Sequence, residues 1–138
     1  MPGAYFITVC TANREPILWD IVGEDIILPC DLKLSKIGKV VEQAVKQIGE
    51  HYENVFIDKY CIMPDHIHFI LYIQPDESGR MIYSPTVSTV VGQMKRWVSK
   101  RVGKSIWQRS FYDHGIRNEK DYQEIWQYIE NNPLKFLI

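Results

Sequence analysis

No stretch of this 138-residue sequence approaches the ~18–20 consecutive apolar residues that a membrane span needs. No signal-peptide pattern opens it either, so a cytoplasmic protein outside any membrane is the expectation. Cysteine is scarce. Cys10, Cys30 and Cys61 form no C-x-x-C pair, and an odd number fits no complete disulfide framework. They read as small core fillers in a reducing setting. An excess of one charge is missing as well: 16 Lys and Arg against 17 Asp and Glu leave a net −1, so the whole molecule is no obvious polyanion binder. Internal repeats, low-complexity tracts and linker-like stretches are absent. Residues 1–138 are expected to form one domain, long enough to bury a real core.

What is present centres on Met63-Pro64-Asp65-His66-Ile67-His68-Phe69-Ile70-Leu71-Tyr72-Ile73. From His66 on, the run is apolar and β-branched, free of Gly and Pro, with a Pro-Asp turn before it: a strand. Side chains alternate along a strand, so His66 and His68 share one face while Ile67, Phe69, Leu71 and Ile73 fill the other. Two imidazoles at this spacing can grip one metal ion. The alternative is an open sheet face on which both rings meet solvent. In either case solvent-side rings contribute little core, and alanine at both positions should leave the fold intact.

In chain order, Ala4–Thr11 reads as a strand apolar on both sides, which suits a central position. Asn13–Leu34 is loop-like, punctuated by Pro16, Gly23 and Pro29, with short extended pieces suggested at Trp19 and at Ile26, Ile27 and Leu28. Ser35 caps a helix to about Gly49, whose stripe is Ile37, Val40, Val41, Ala44, Val45 and Ile48. Asn54–Ile62 is a strand that forms an antiparallel hairpin with the histidine strand. Gln74–Pro85 is a polar loop. A second helix spans Thr86–Val102, and Ile106–Tyr112 is expected as a short last strand.

The balanced net charge hides a local imbalance. From Met81 to Tyr112 there are six basic residues (Lys95, Arg96, Lys100, Arg101, Lys104 and Arg109) and no acidic one, which leaves −7 elsewhere. A solvated helix face normally mixes signs, so a single-sign face points to a polyanion, most simply nucleic acid. The ordinary alternative is a basic surface helix. The final helix begins at the N-cap Asn118, with Glu119 and Asp121 opposing the dipole. Its buried stripe is Tyr122, Ile125, Trp126 and Ile129. It is expected to stop at Asn132 or one residue earlier, because Pro133 disfavours helical geometry before it. Tyr128 and Asn132 are one turn apart beside that stripe.

Five short pieces carry a resemblance over nearly the whole chain. They are Gly3-Ala4-Tyr5-Phe6-Ile7-Thr8-Val9-Cys10-Thr11 with Asn13-Arg14-Glu15, Met63-Pro64-Asp65-His66-Ile67-His68, Trp107-Gln108-Arg109, Asp113-His114-Gly115-Ile116-Arg117-Asn118-Glu119, and Tyr128-Ile129-Glu130-Asn131-Asn132-Pro133. In this order they resemble the REP-associated tyrosine transposases, within the HUH class of single-strand DNA nucleases. The resemblance implies an α+β fold, a ferredoxin-like antiparallel sheet of four or five strands with helices packed on one face. It implies that His66 and His68 bind a divalent metal, Mg²⁺ or Mn²⁺, and that Tyr128 is the nucleophile. Asn132 falls where relatives supply a third ligand, with Asn131 a competitor for that place. The partner implied is single-stranded, hairpin-forming DNA. The family contains dimers and monomers, so a homodimer stays open.

The chemistry is coherent with these parts. A phenol is ordinarily protonated until pH ~10, and cleavage needs it ionised and the phosphate charge relieved. Two neutral imidazoles and an amide leave positions for phosphate oxygens and water, and suit Mg²⁺ or Mn²⁺ better than Zn²⁺. Attack would yield a 5′-phosphotyrosine and a free 3′-hydroxyl. A second reading is a domesticated DNA-binding protein of this fold without turnover, against which intact His66, His68 and Tyr128 argue. A zinc hydrolase is disfavoured, since no acidic general base accompanies the histidine pair other than Asp65 in the turn.

Overall fold

A computed structural model describes residues 3–20, 34–74 and 86–137. The suggested extended pieces at Ile26–Leu28, Cys30 and the polar loop over 75–85 lie outside the described residues. Four strands, β1 (Ala4–Cys10), β2 (Val55–Ile62), β3 (His66–Ile73) and β4 (Tyr112–Gly115), form an antiparallel sheet in the order β2-β3-β1-β4. Three helices, α1 (Lys36–His51), α2 (Val87–Val102) and α3 (Glu119–Leu137), complete an α+β domain. The strand that is apolar on both sides, β1, is interior as expected. Its register with β3 sets Thr8 opposite His68 and Cys10 opposite His66.

The helix starts follow their capping residues. Ser35 accepts from the Gly38 N–H, Thr86 from the Thr89 N–H and Asn118 from the Asp121 N–H. At the far end of α2, Gly103 takes a left-handed conformation (φ 91°) that few other residues adopt cheaply, and its N–H closes the helix on the Ser99 carbonyl.

Alternation along the strands divides the core in two. Ile7, Val9, Ile67, Phe69, Leu71 and Ile73 face α1 and α2, against Val41, Val45, Ile48, Val91, Met94 and Val98. Ala4, Phe6, Ile70 and Tyr72 face the other way, where α3 packs Ile129, Ile125, Trp126 and Tyr122 on them. Two helices therefore share one face, but the third covers the face that carries the histidines, which corrects the expectation that the helices pack on one face alone. A register shift between Ile57 and Lys59 bulges β2 at Asp58. Around that bulge α3 is pinned: Tyr122 donates to Asp58, Lys59 pairs with Glu130, and the Lys59 ammonium lies 4.1 Å from the Trp126 ring centroid.

Two expected boundaries are corrected. The last strand is Tyr112–Gly115, not Ile106–Tyr112; Trp107 makes only an isolated bridge to Thr11. Ile106 and Trp107 are instead buried, while Tyr-Asp-His-Gly becomes a strand only by pairing with β1. Helix α3 also runs through Pro133 to Leu137. Proline removes one backbone donor and crowds the preceding turn, at about 3 kcal/mol or more, but this is a finite bias. A helix already propagated over Glu119–Asn132 and anchored on the sheet can carry it.

Candidate functional site

The two histidines project from β3 toward α3, with ring centroids 4.7 Å apart and planes at 72°. Each has its Nδ1 occupied. His66 Nδ1 is 2.6 Å from Asp65 Oδ1, and His68 Nδ1 is 2.9 Å from Thr8 Oγ1. A carboxylate only accepts, so His66 donates from Nδ1, which in the neutral ring leaves the lone pair on Nε2. His68 takes the same tautomer when the Thr8 hydroxyl accepts from it. This is how outer-shell partners orient imidazoles that ligate a metal.

His68 does not meet solvent as the sequence suggests. It is 5% exposed, stacked on Phe6 with centroids 5.1 Å apart, under the helix that crosses to this face. Burial, then the charges of His66 and Arg14, depress its pKa to about 3. The ring stays neutral, and so ligand-competent, at any ordinary pH. Because the unfolded ring protonates near ~6.5, the unfolded state binds more protons below that value, and folding stability must fall as the pH drops from there toward the folded value. In metal-free protein each pH unit in this window costs up to about 1.4 kcal/mol. Urea unfolding in chelator should show this slope in the wild type and a shallower one in His68→Gln; equal slopes would contradict the assignment.

Tyr128 comes from α3. Its ring is 44% exposed, 5.5 Å from the His68 ring and 6.2 Å edge-on from Phe6. Asn132 follows one turn later, ~6 Å along the axis. Among the described residues three buried side-chain polar atoms lack a hydrogen-bond partner: His68 Nε2, Asn132 Nδ2 and Trp107 Nε1. Two of the three belong to residues expected as ligands. An amide can present its oxygen in place of its nitrogen by a simple flip. Partnerless polar atoms at these two positions fit the donor set that a divalent cation requires. Among the described residues no cluster of three His, Cys, Asp or Glu side chains is present.

The basic residues do not join this site. Helix α2 lies under the opposite sheet face, so Arg96, Lys100 and Arg101 sit in the far layer. Arg101 stacks over Trp97 at 4.7 Å, and the Lys95 ammonium donates to the carbonyls of Gln108 (2.7 Å) and Arg109 (3.3 Å). Only Lys104 and Arg109 lie on the connection that returns toward the site, which is tied to the end of β1 by Ala12 N–H to Ile106 O and Gln108 N–H to Cys10 O. Residues with no role assigned from sequence also enter here: Phe6, Thr8 and Arg14. Thr8 and Phe6 are two residues apart and share one face of β1, and which residues they oppose follows from the strand pairing.

A family model described as transposase IS200-like matches residues 4–132. An uncharacterised protein of Haemophilus influenzae is 31% identical over 151 residues, covering 96% of this chain and 81% of that protein. A REP-associated tyrosine transposase of Escherichia coli is 31% identical over 80 residues, 57% of this chain and 44% of the relative. Among solved structures, a REP-associated tyrosine transposase bound to a REP hairpin superposes with a TM-score of 0.71 at 24% identity, over 99% of this chain and 70% of that one. At that identity the likeness is one of fold. Among the described residues no helix is long and apolar enough to cross a membrane.

Proposed function

Since this chain belongs to the IS200-like transposase family, we propose that it cleaves and rejoins single-stranded DNA at hairpin-forming sequences, with Tyr128 as nucleophile. The observation that carries this reading is the Tyr128 ring 5.5 Å from His68, whose Nε2 is buried without a partner. His66, His68 and Asn132 would hold a divalent cation, Mg²⁺ or Mn²⁺, with Asp65 and Thr8 orienting the two rings. When bound, that ion supplies Lewis-acid stabilisation of the phosphate oxygens. The chain's own part is positional. Phe6 supports the His68 and Tyr128 rings, and the bonds from α3 to Asp58 and Lys59 fix where the phenol points. The phenol gives up its proton, its oxygen bonds to phosphorus, and the bond to the 3′ oxygen breaks, leaving a 5′-phosphotyrosine and a 3′-hydroxyl.

Hairpin DNA is the proposed partner because the structural relative is bound to one. A hairpin oligonucleotide labelled at its 3′ end and incubated with Mn²⁺ should become covalently attached to the protein. Tight hairpin binding without any adduct would replace this reading with that of a non-catalytic DNA-binding protein.

The basic layer would take the backbone of the same DNA. Lys100→Ala with Arg101→Ala should flatten the plot of log affinity against log salt, by about 0.7 for each phosphate no longer neutralised on a single strand, or about 0.9 on a duplex stem. All sequences should weaken alike. An unchanged slope returns this face of α2 to ordinary solvated surface.

A further inference from the structure

The turn that delivers His66 is held by a segment 54 residues earlier in the chain. Thr11, fully buried, donates its N–H to the Asp65 carbonyl (2.9 Å), its hydroxyl lies 2.8 Å from the Glu15 carbonyl and 3.1 Å from that of Asp65, and Leu18 N–H donates to the Pro64 carbonyl at 3.0 Å. Between them lies a short 3₁₀ turn, Ala12–Arg14, in which two consecutive non-glycine residues, Asn13 and Arg14, have φ of 55°. That region is uncommon for an arginine and costs conformational energy. Its consequence is an aim. Arg14 Nε reaches Asp65 Oδ2 at 3.0 Å and Nη1 reaches Cys10 Sγ at 3.2 Å, while the other carboxylate oxygen, Oδ1, meets His66 Nδ1 at 2.6 Å.

We infer that Arg14 is a positioning residue for His66, acting through Asp65. The guanidinium fixes the carboxylate with Oδ1 toward the imidazole, and the carboxylate fixes the proton on Nδ1, so that Nε2 is presented to the divalent cation. This rests on reading the site as a metal centre. A plain surface ion pair is the competing account. The Arg14 side chain is 53% exposed, however, and exposed pairs contribute little to stability, which leaves the unfavourable backbone of Asn13 and Arg14 unexplained. An orienting role explains it, because direction is what the left-handed turn secures.

Arg14→Gly separates the accounts, since glycine accepts φ of 55° without strain. The ¹⁵N shifts of the His66 ring in metal-free protein should show one tautomer, Nδ1–H, in the wild type and a mixture in Arg14→Gly. Mn²⁺ affinity, followed by the EPR signal of the free ion, should fall about 10-fold or more. The melting temperature should not fall. Arg14→Lys keeps the charge but not the planar fork, and should lie between the two. If Arg14→Gly lowers the melting temperature while tautomer and Mn²⁺ affinity are unchanged, Arg14 is a structural ion pair and the inference is wrong. A wild type that binds no Mn²⁺ but whose His66 tautomer still depends on Arg14 would overturn the metal centre and leave the positioning role standing.

Discussion

Tyr128→Phe should abolish the covalent protein–DNA adduct and leave folding and hairpin binding unchanged. The change deletes one oxygen from a ring that is 44% exposed, so the packing of Ile129 and Trp126 on the sheet is untouched. Two other tyrosines compete for the role, and the structure separates them from it. The Tyr122 hydroxyl donates to Asp58, and that bond, followed by burial, raises its pKa, which opposes phenolate formation. Tyr112 is 68% exposed on β4 opposite Thr8, two strands from His68 and hence ~10 Å away. Among the described tyrosines, Tyr128 is the one whose ring lies against His68. The adduct is read as a protease-sensitive, gel-shifted band with Mn²⁺; its persistence in Tyr128→Phe would show that another residue attacks.

His66→Ala and His68→Ala should each reduce Mn²⁺-dependent cleavage by at least about 100-fold, since loss of a ligand exceeds the 10–100-fold cost of losing its outer-shell partner. Their effects on stability should differ. Among the described residues the His66 ring hydrogen-bonds to its sequence neighbour Asp65 and ties no second strand, so alanine there should cost less. His68 is stacked on Phe6 and bonded to Thr8 on the neighbouring strand. Its removal leaves a cavity and a hydroxyl without its partner, together about 1–3 kcal/mol. Thermal unfolding of the two variants in chelator tests the contrast, and full Mn²⁺-dependent turnover in either would remove these residues from the proposed metal site.

Much of this was legible because it is periodic. Alternation through His66–Ile73 assigns the histidines to one face, the 3.6-residue stripes define α1, α2 and α3, and Ser35, Thr86 and Asn118 mark their starts. These signals are local, carried by side chains within a few residues of each other. The short motif around His66 is local as well, so the histidine pair is a candidate ligand set on spacing alone, whereas the roles of Tyr128 and Asn132 rest on the family resemblance.

What the linear chain could not decide is everything that depends on which segments meet. Tyr-Asp-His-Gly has no strand signature of its own, and β4 exists because the edge of β1 offers it a ladder. Pro133 reads as a stop, yet a helix pinned by Asp58 and Lys59 runs through it. His68 looks solvent-facing until α3 crosses to the opposite face from α1 and α2, burying the ring and driving its pKa to about 3. Arg14 and Asp65 are 51 residues apart, and their pairing follows from backbone bonds between two loops. Periodicity assigns a side chain to a face; only the packing of the three layers determines what stands opposite it, and with that its burial, its protonation and its chemistry.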